Sequence, residues 1–366
     1  MKRVTSFFML LILIFSFTTS TNASEIVSTT SIGPAKEQFD WPQGLTVVGD
    51  TYYVLDGNDI RAGKLGKWET VFNMGSLKPL LPYELQNDMV IRSFRLAEMK
   101  HKEGALYVSG LLYKDRQGEN VPYPSGGIAV GETYTILFKV DKGTARILYL
   151  DSVALNRQMQ PDDFYETKSG GPENLYRWGP NTVIYNYALW VYRPNFTFMD
   201  NADIIMTRRY YNETEWYPYV HILQISEKGK AETIYEIKDK KKLLRSGTEW
   251  GKWPNYVIAT RDKDLLTIYD GIVFMYYVDL KTGEMKVDEL SDQYFMERPV
   301  FFKNHMYFLN DEGIYTWKRS GPYYDYYHLM TAESFKLPIL IADWDYDGYY
   351  IYLLSYDKRA IYKIKA

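Results

Sequence analysis

Short strand-like runs recur in groups of four along most of this chain, and that repeat constrains its fold more than any other feature. The first group is residues 45–48, 52–55, 60–65 and 68–72, and the second is 92–99, 105–112, 134–140 and 145–150. The third is 175–178, 182–191, 219–225 and 231–237. The fourth is 255–260, 265–269, 272–280 and 285–290, and the fifth 296–302, 305–309, 313–318 and 327–332. Repeats of this size belong to architectures in which each unit buries its faces against its neighbours. Asp56-Gly57, Lys142-Gly143, Lys228-Gly229, Asp270-Gly271, Thr282-Gly283, Glu312-Gly313 and Asp347-Gly348 lie between runs, where glycine gives access to positive φ. Helical patterning is confined to residues 79–85 and 238–244.

A sixth group has only three runs, 339–343, 349–354 and 360–365, while residues 25–32 form an unassigned β-prone stretch. A ring of sheets that pairs this first strand with the last unit accounts for both. An open ring would leave strand edges and an apolar face in water. The expected fold is therefore all-β, a single β-propeller of six four-stranded blades, with the N-terminal strand closing the last blade. Tyr occurs 35 times and aromatics make up 17% of the chain. Aromatic rings favour half-buried strands, and Tyr suits surfaces that are wet on one side.

The stretch Trp41-Pro42-Gln43-Gly44-Leu45, continuing through Tyr53-Val54-Leu55-Asp56-Gly57, resembles the blade signature of NHL-type, TolB-like six-bladed propellers. That signature runs Pro-x-Gly-hydrophobic, a turn, then Tyr-Val-x-Asp. Asp347-Gly348-Tyr349-Tyr350-Ile351 is similar to its middle, and Ala360-Ile361-Tyr362-Lys363-Ile364 to its third strand. His305-Met306-Tyr307-Phe308-Leu309 is a fainter copy. The resemblance implies the architecture and no catalytic residue, because propellers carry enzymes, binders and scaffolds alike.

Lys2 and Arg3, the apolar run 7–17 and the small residues before Ala23 have the layout of a secretory signal peptide. The run is too short for a comfortable membrane span of about 20 residues. The expected organisation is a signal peptide over 1–23 and a propeller over 24–366, secreted or extracellular, with no stable membrane insertion after cleavage. The formal charge of −3 gives no global reason to bind nucleic acid. Lys238, Lys240, Lys241, Lys242 and Arg245 form the one basic cluster, which reads as a solvated loop. The chain has no cysteine, which excludes thiol catalysis and thiolate-bound metals.

Residues 73–91, 115–133, 151–174 and 193–218 exceed hairpin length and read as insertions, the usual place for ligand contacts. The last holds Arg193, Arg208, Tyr210, Tyr211, Trp216 and Tyr217, a set of rings and guanidinium groups suited to a sugar or peptide. Asp343, Asp345 and Asp347, followed by Gly348, match the first half of a calcium loop, but position twelve is Leu354 where the loop needs Glu. No other cofactor is implied. His101, His221, His305 and His328 lack metal-helix spacing. Asp162, Asp163, Glu166 and Glu173 cluster as acid–base candidates. Asn195-Phe196-Thr197 and Asn212-Glu213-Thr214 are glycosylation sequons. The expected function is binding of a glycan, peptide or envelope protein. The alternative is a carbohydrate-active hydrolase or lyase at the mouth of the ring, signalled by convergence of histidines with carboxylates.

Overall fold

In a computed structural model the described residues are 39–64, 67–86, 89–90, 98–114, 133–153, 195–211, 218–237, 258–269, 274–289, 297–302, 305–310, 313–320, 323–331, 341–355 and 359–365. They form six antiparallel sheets in chain order. Sheet one is β1 (Pro42–Val48), β2 (Thr51–Asp56), β3 (Asp59–Lys64) and β4 (Lys67–Asn73). Sheet two holds β5 (Met89–Val90), β6 (Glu98–Lys102), β7 (Ala105–Lys114), β8 (Thr133–Asp141) and β9 (Thr144–Val153); β5 and β6 share one edge of β7. Sheet three is β10 (Phe196–Phe198), β11 (Ile204–Tyr211), β12 (Pro218–Ile225) and β13 (Ala231–Ile237). Sheet four is β14 (Ile258–Asp262), β15 (Leu265–Tyr269), β16 (Phe274–Asp279) and β17 (Met285–Glu289). Sheet five is β18 (Glu297–Phe302), β19 (His305–Asn310), β20 (Gly313–Ser320) and β21 (Tyr323–Thr331). Sheet six has three strands, β22 (Ile341–Tyr346), β23 (Tyr350–Ser355) and β24 (Ala360–Lys365).

Buried cores lie between sheets. Leu55, Ile60 and Phe72 of sheet one meet Met99, Val108 and Phe138 of sheet two. Tyr107 and Leu137 meet Ile204 and Met206 across the next gap, and Ile205 and Ile222 meet Leu266 and Ile268 across the one after. Tyr307 of sheet five meets Trp344 and Ile351 of sheet six. Sheet six then meets sheet one through Tyr352, Leu354 and Ile361 against Leu45, Tyr52 and Val54. Sheets that pack in sequence, with the last on the first, make a propeller.

At two of the gaps the neighbouring first strands run in the same direction. Leu45 and Val47 of β1 meet Asp343 and Asp345 of β22 in ascending order, and Phe196 and Met199 meet Lys100 and Lys102 likewise. The connections then sort by end. Those from first to second and from third to fourth strands are never longer than five residues. One is a tight hairpin at Lys142 (φ 48°) and Gly143 (φ 79°), two positive-φ residues that match the twist of the flanking strands. Every longer connection, including residues 115–132, 154–195 and 238–257, leaves and re-enters at the opposite end.

The strand boundaries differ from the sequence reading mainly in sheet three. Residues 193–218 are not an insertion: they contain β10 and β11, the two inner strands of the sheet. Ile204 is buried toward sheet two and Ile205 toward sheet four, so β11 begins with a continuous apolar run rather than an alternating one. The runs 175–178 and 182–191, assigned to this sheet from sequence, lie outside the described residues, as do residues 25–32. Residues 73–91 hold a 3-10 helix (Met74–Leu80), capped by the Asn73 side chain, and the one-turn α1 (Tyr83–Gln86). Asp151 belongs to β9 and not to a loop, and β6 begins at Glu98.

Candidate functional site

Near the end of the ring that carries the long connections, side chains of sheets two and three form one polar cluster. β9 contributes Tyr149 and Asp151, which share a face because they are two residues apart. On β11, Arg208 is paired in register with His221 of β12, and His221 with Glu236 of β13. Directly opposed residues share a face, so these three form a row across sheet three.

Arg208 reaches across the gap to Asp151, with Nη1 to Oδ2 at 2.6 Å. The Tyr149 hydroxyl donates to the same carboxylate oxygen at 3.2 Å. His221 Nε2 lies 3.0 Å from Glu236 Oε1. The Arg208 side chain is 12% exposed and that of Asp151 43%, so the pair runs from the inter-sheet core to solvent. Burial raises the Tyr149 phenol well above its ordinary range, and it stays a hydrogen-bond donor throughout the neutral range. The cluster thus presents a planar guanidinium, a carboxylate and a phenol, groups that recognise hydroxyls and amides. The exposed rings of Trp41, at the start of β1, and Tyr83, in the connection after β4, lie toward the same end.

The structure distributes the sequence candidates unevenly. Arg208 falls in the cluster. Tyr210 and Tyr211 are strand residues of β11, opposite Tyr219 and Pro218. Arg193, Trp216 and Tyr217 lie outside the described residues, as do Asp162, Asp163, Glu166, Glu173, Asn212 and the basic cluster at 238–245. His221 of β12 and His328 of β21, the latter opposite Tyr315, lie toward the long-connection end, in sheets three and five, whereas His101 and His305 flank tight turns at the other end. Burial lowers His101, which stacks on Tyr53. Asn195 is buried, and the Thr197 hydroxyl donates to the Ala259 carbonyl, so this sequon is part of the ring's interior.

Asp343, Asp345 and Asp347 are hydrogen-bond acceptors. Asp343 Oδ2 accepts the Leu45 N–H at 2.7 Å, and Asp345 Oδ2 accepts the Val47 N–H at 2.7 Å and the Thr46 hydroxyl at 3.4 Å. Asp345 Oδ1 accepts the Tyr346 N–H. Asp347 Oδ1 accepts the N–H groups of Tyr349 and Tyr350, and its Oδ2 accepts the Tyr352 hydroxyl. Among the described residues no group of three or more His, Asp or Glu is placed to hold a metal ion. Burial pushes Asp345 up to about 7, opposed by its amide donors and aided by Asp343.

No family model matches the chain, and none of the curated proteins matches it. Among solved structures, it is similar to a structural-genomics protein of unknown function from Bacteroides thetaiotaomicron, at 12% identity and a TM-score of 0.44, covering 92% of this chain and 75% of that one. It is also similar to the WD40 β-propeller domain of Doa1, at 11% identity and a TM-score of 0.41, over 92% and 95% of the two chains. The extracellular domain of the putative one component system BT4673 of B. thetaiotaomicron matches at 11% identity and a TM-score of 0.40; the match covers 92% of this chain and 39% of that one. Among the described residues no helix is long and apolar enough to cross a membrane.

Proposed function

We propose that this chain is an exported binding module that holds a glycan, peptide or envelope protein at the long-connection end of its ring. The observation that carries this reading is the Tyr149–Asp151–Arg208 cluster, built by two sheets and reaching solvent at that end. A recognition surface needs a few fixed polar groups beside rings, and a rigid scaffold beneath them. Arg208 and Asp151 orient each other, and Trp41 and Tyr83 add exposed rings on the same side.

The test is binding of the chain from residue 24 to 366 to a glycan array and to envelope proteins. Wild type is compared with Arg208→Lys and with a Trp216→Ala, Tyr217→Ala double variant. Selective binding lost in Arg208→Lys supports the cluster as the ligand site, since Lys keeps the charge and loses the fork. Binding untouched by both variants overturns it. A hydrolase or lyase is the second reading, favoured by the His221–Glu236 contact beside Arg208. It requires turnover of a bound glycan that His221→Ala abolishes while binding persists.

A further inference from the structure

Asp151 is held through one of its two oxygens. Oδ2 takes both contacts within the cluster, Arg208 Nη1 at 2.6 Å and the Tyr149 hydroxyl at 3.2 Å. Oδ1 takes no hydrogen bond from the described residues. The Asp151 side chain is 43% exposed although Oδ2 is occupied by two donors, which leaves Oδ1 as the oxygen that solvent reaches. Those donors are spent inward. The Tyr149 O–H points at Asp151, and Arg208, largely buried, donates to the Tyr149 oxygen as well as to Asp151. A carboxylate oxygen has two acceptor sites and no donor. The outward group of the cluster is therefore an acceptor, and Arg208 is a residue that positions it.

Charge narrows what can bind there. Arg208 sets a full positive charge 2.6 Å from Asp151, so the pair is neutral as a whole and offers a cation little net attraction. An anion would meet the Asp151 carboxylate and, along the row through His221, that of Glu236. A neutral hydroxyl has no charge to strip of water, and its bond to a carboxylate oxygen is charge-assisted. Two adjacent hydroxyls of a sugar ring fill both acceptor sites of one oxygen. A peptide backbone brings one N–H for each residue, so a sugar is the denser source of donors.

We propose, resting on the binding reading above, that the long-connection end takes a neutral glycan, and that two adjacent hydroxyls of one sugar residue donate to Asp151 Oδ1 while Arg208 and Tyr149 hold the carboxylate in place. This names both the class of ligand and the atom that reads it.

The test uses the chain from residue 24 to 366 on an array of neutral glycans, glycans bearing uronic acids or sulfates, and lysine-rich peptides. Binding led by neutral glycans is expected. Analogues of the best-bound glycan, each lacking one ring hydroxyl, are then titrated against wild type. Loss of either of two adjacent hydroxyls is expected to weaken binding about tenfold or more, and loss of any other far less. Asp151→Asn makes the complementary change. Its amide oxygen keeps the place of Oδ2 against Arg208 and Tyr149, and its NH2 faces outward, a donor where an acceptor stood. Affinity for the neutral glycan is expected to fall about tenfold or more, with the discrimination among the analogues gone. The analogue series on wild type decides the matter should that variant fail to fold. Binding led by acidic glycans or by lysine-rich peptides, and lost in Arg208→Lys, overturns the hydroxyl chemistry and leaves the binding reading in place. Retention of an envelope protein with no glycan bound does the same. A neutral glycan whose analogues all bind alike, or whose affinity Asp151→Asn leaves unchanged, removes Asp151 as the reading atom. Binding of no glycan, no peptide and no envelope protein overturns both.

Discussion

The seam between sheets six and one and the seam between sheets two and three use one device with opposite charge. At the first, Asp343 and Asp345 of β22 accept the N–H groups of Leu45 and Val47 on the edge of β1. At the second, Lys100 and Lys102 of β6 donate to the carbonyls of Phe196 and Met199 beside β10. In both, side chains two apart on a first strand satisfy backbone groups along the next first strand. The arms differ. Aspartate is short and fixes the spacing of the two strands. Lysine reaches over the rings of Phe196 and Phe198, at 5.2 and 5.0 Å, and covers them with its stem. A buried N–H needs its one acceptor, whereas a carbonyl with two lone pairs tolerates a lost partner better. The closing seam is thus the less forgiving of the two.

The largest expected difference is in pH response. Asp345 is raised from its ordinary 3.8 to about 7 by burial, with Asp343 beside it on β22, Asp347 in the turn that follows, Thr46 on β1 and Tyr352 on β23. The folded chain therefore holds a proton that the unfolded chain releases between pH 4 and 7. Its contribution to stability is complete below about pH 4, falls as pH rises through that window, and changes no further above about 7. At about 1.4 kcal/mol per unit the contribution is a few kcal/mol. Urea midpoints of wild type and Asp345→Asn at pH 5 and pH 8 measure it. Asn carries no proton to lose, so the variant should lack this part of the decline. Parallel pH profiles for the two proteins would remove Asp345 as the titrating group.

Two substitutions then compare the seams directly. Asp343→Ala leaves the Leu45 N–H without its carboxylate and is expected to cost about 1–3 kcal/mol. Lys102→Met keeps the stem over Phe198 but drops the bond to the Met199 carbonyl, at about 0.5–1.5 kcal/mol. Chemical denaturation of both at one pH ranks them. Equal costs, or the reverse order, would mean that the two seams are equally tolerant.

The same contrast marks what could be read from sequence. Sheets one, four, five and six were legible because each strand alternates or is bounded by a turn residue, as at Asp56-Gly57 and Asp347-Gly348. The three described strands of sheet six were legible too, each as a run of its own. Sheet three was read correctly in β12 and β13 but not in its first two strands. β10 has three residues, and β11 passes from Ile204-Ile205-Met206 into Arg208-Arg209-Tyr210-Tyr211, a composition that suggests a loop. The turn residues Asn201, Ala202 and Asp203 ahead of Ile204 were the available signal; Ala202 takes φ 68° and Asp203 accepts from Gln224. At the site, Arg208 was named from sequence but Tyr149 and Asp151 were not. They come from another sheet, and pairing between sheets is set by the closing of the ring rather than by any local spacing. The N–H partners of the three aspartates were not legible for the same reason: a row of carboxylates says nothing about whose N–H groups will face it.

The smallest expected effect separates the two readings of those aspartates. Calcium at Asp343, Asp345 and Asp347 would have to draw oxygens from the N–H groups of Leu45, Val47, Tyr349 and Tyr350 and from the Tyr352 hydroxyl. Leu354 stands where a calcium loop supplies its bidentate carboxylate, so the ion would gain less than it displaced. Melting with and without millimolar calcium is therefore expected to give the same Tm. A ligand that binds only the folded state raises stability by RT ln(1 + [L]/Kd), about 2.7 kcal/mol at a hundredfold excess over Kd. A calcium-dependent rise lost in Asp347→Asn would show that the seam yields its carboxylates to a metal, and that its strength comes from somewhere other than the bonds to β1.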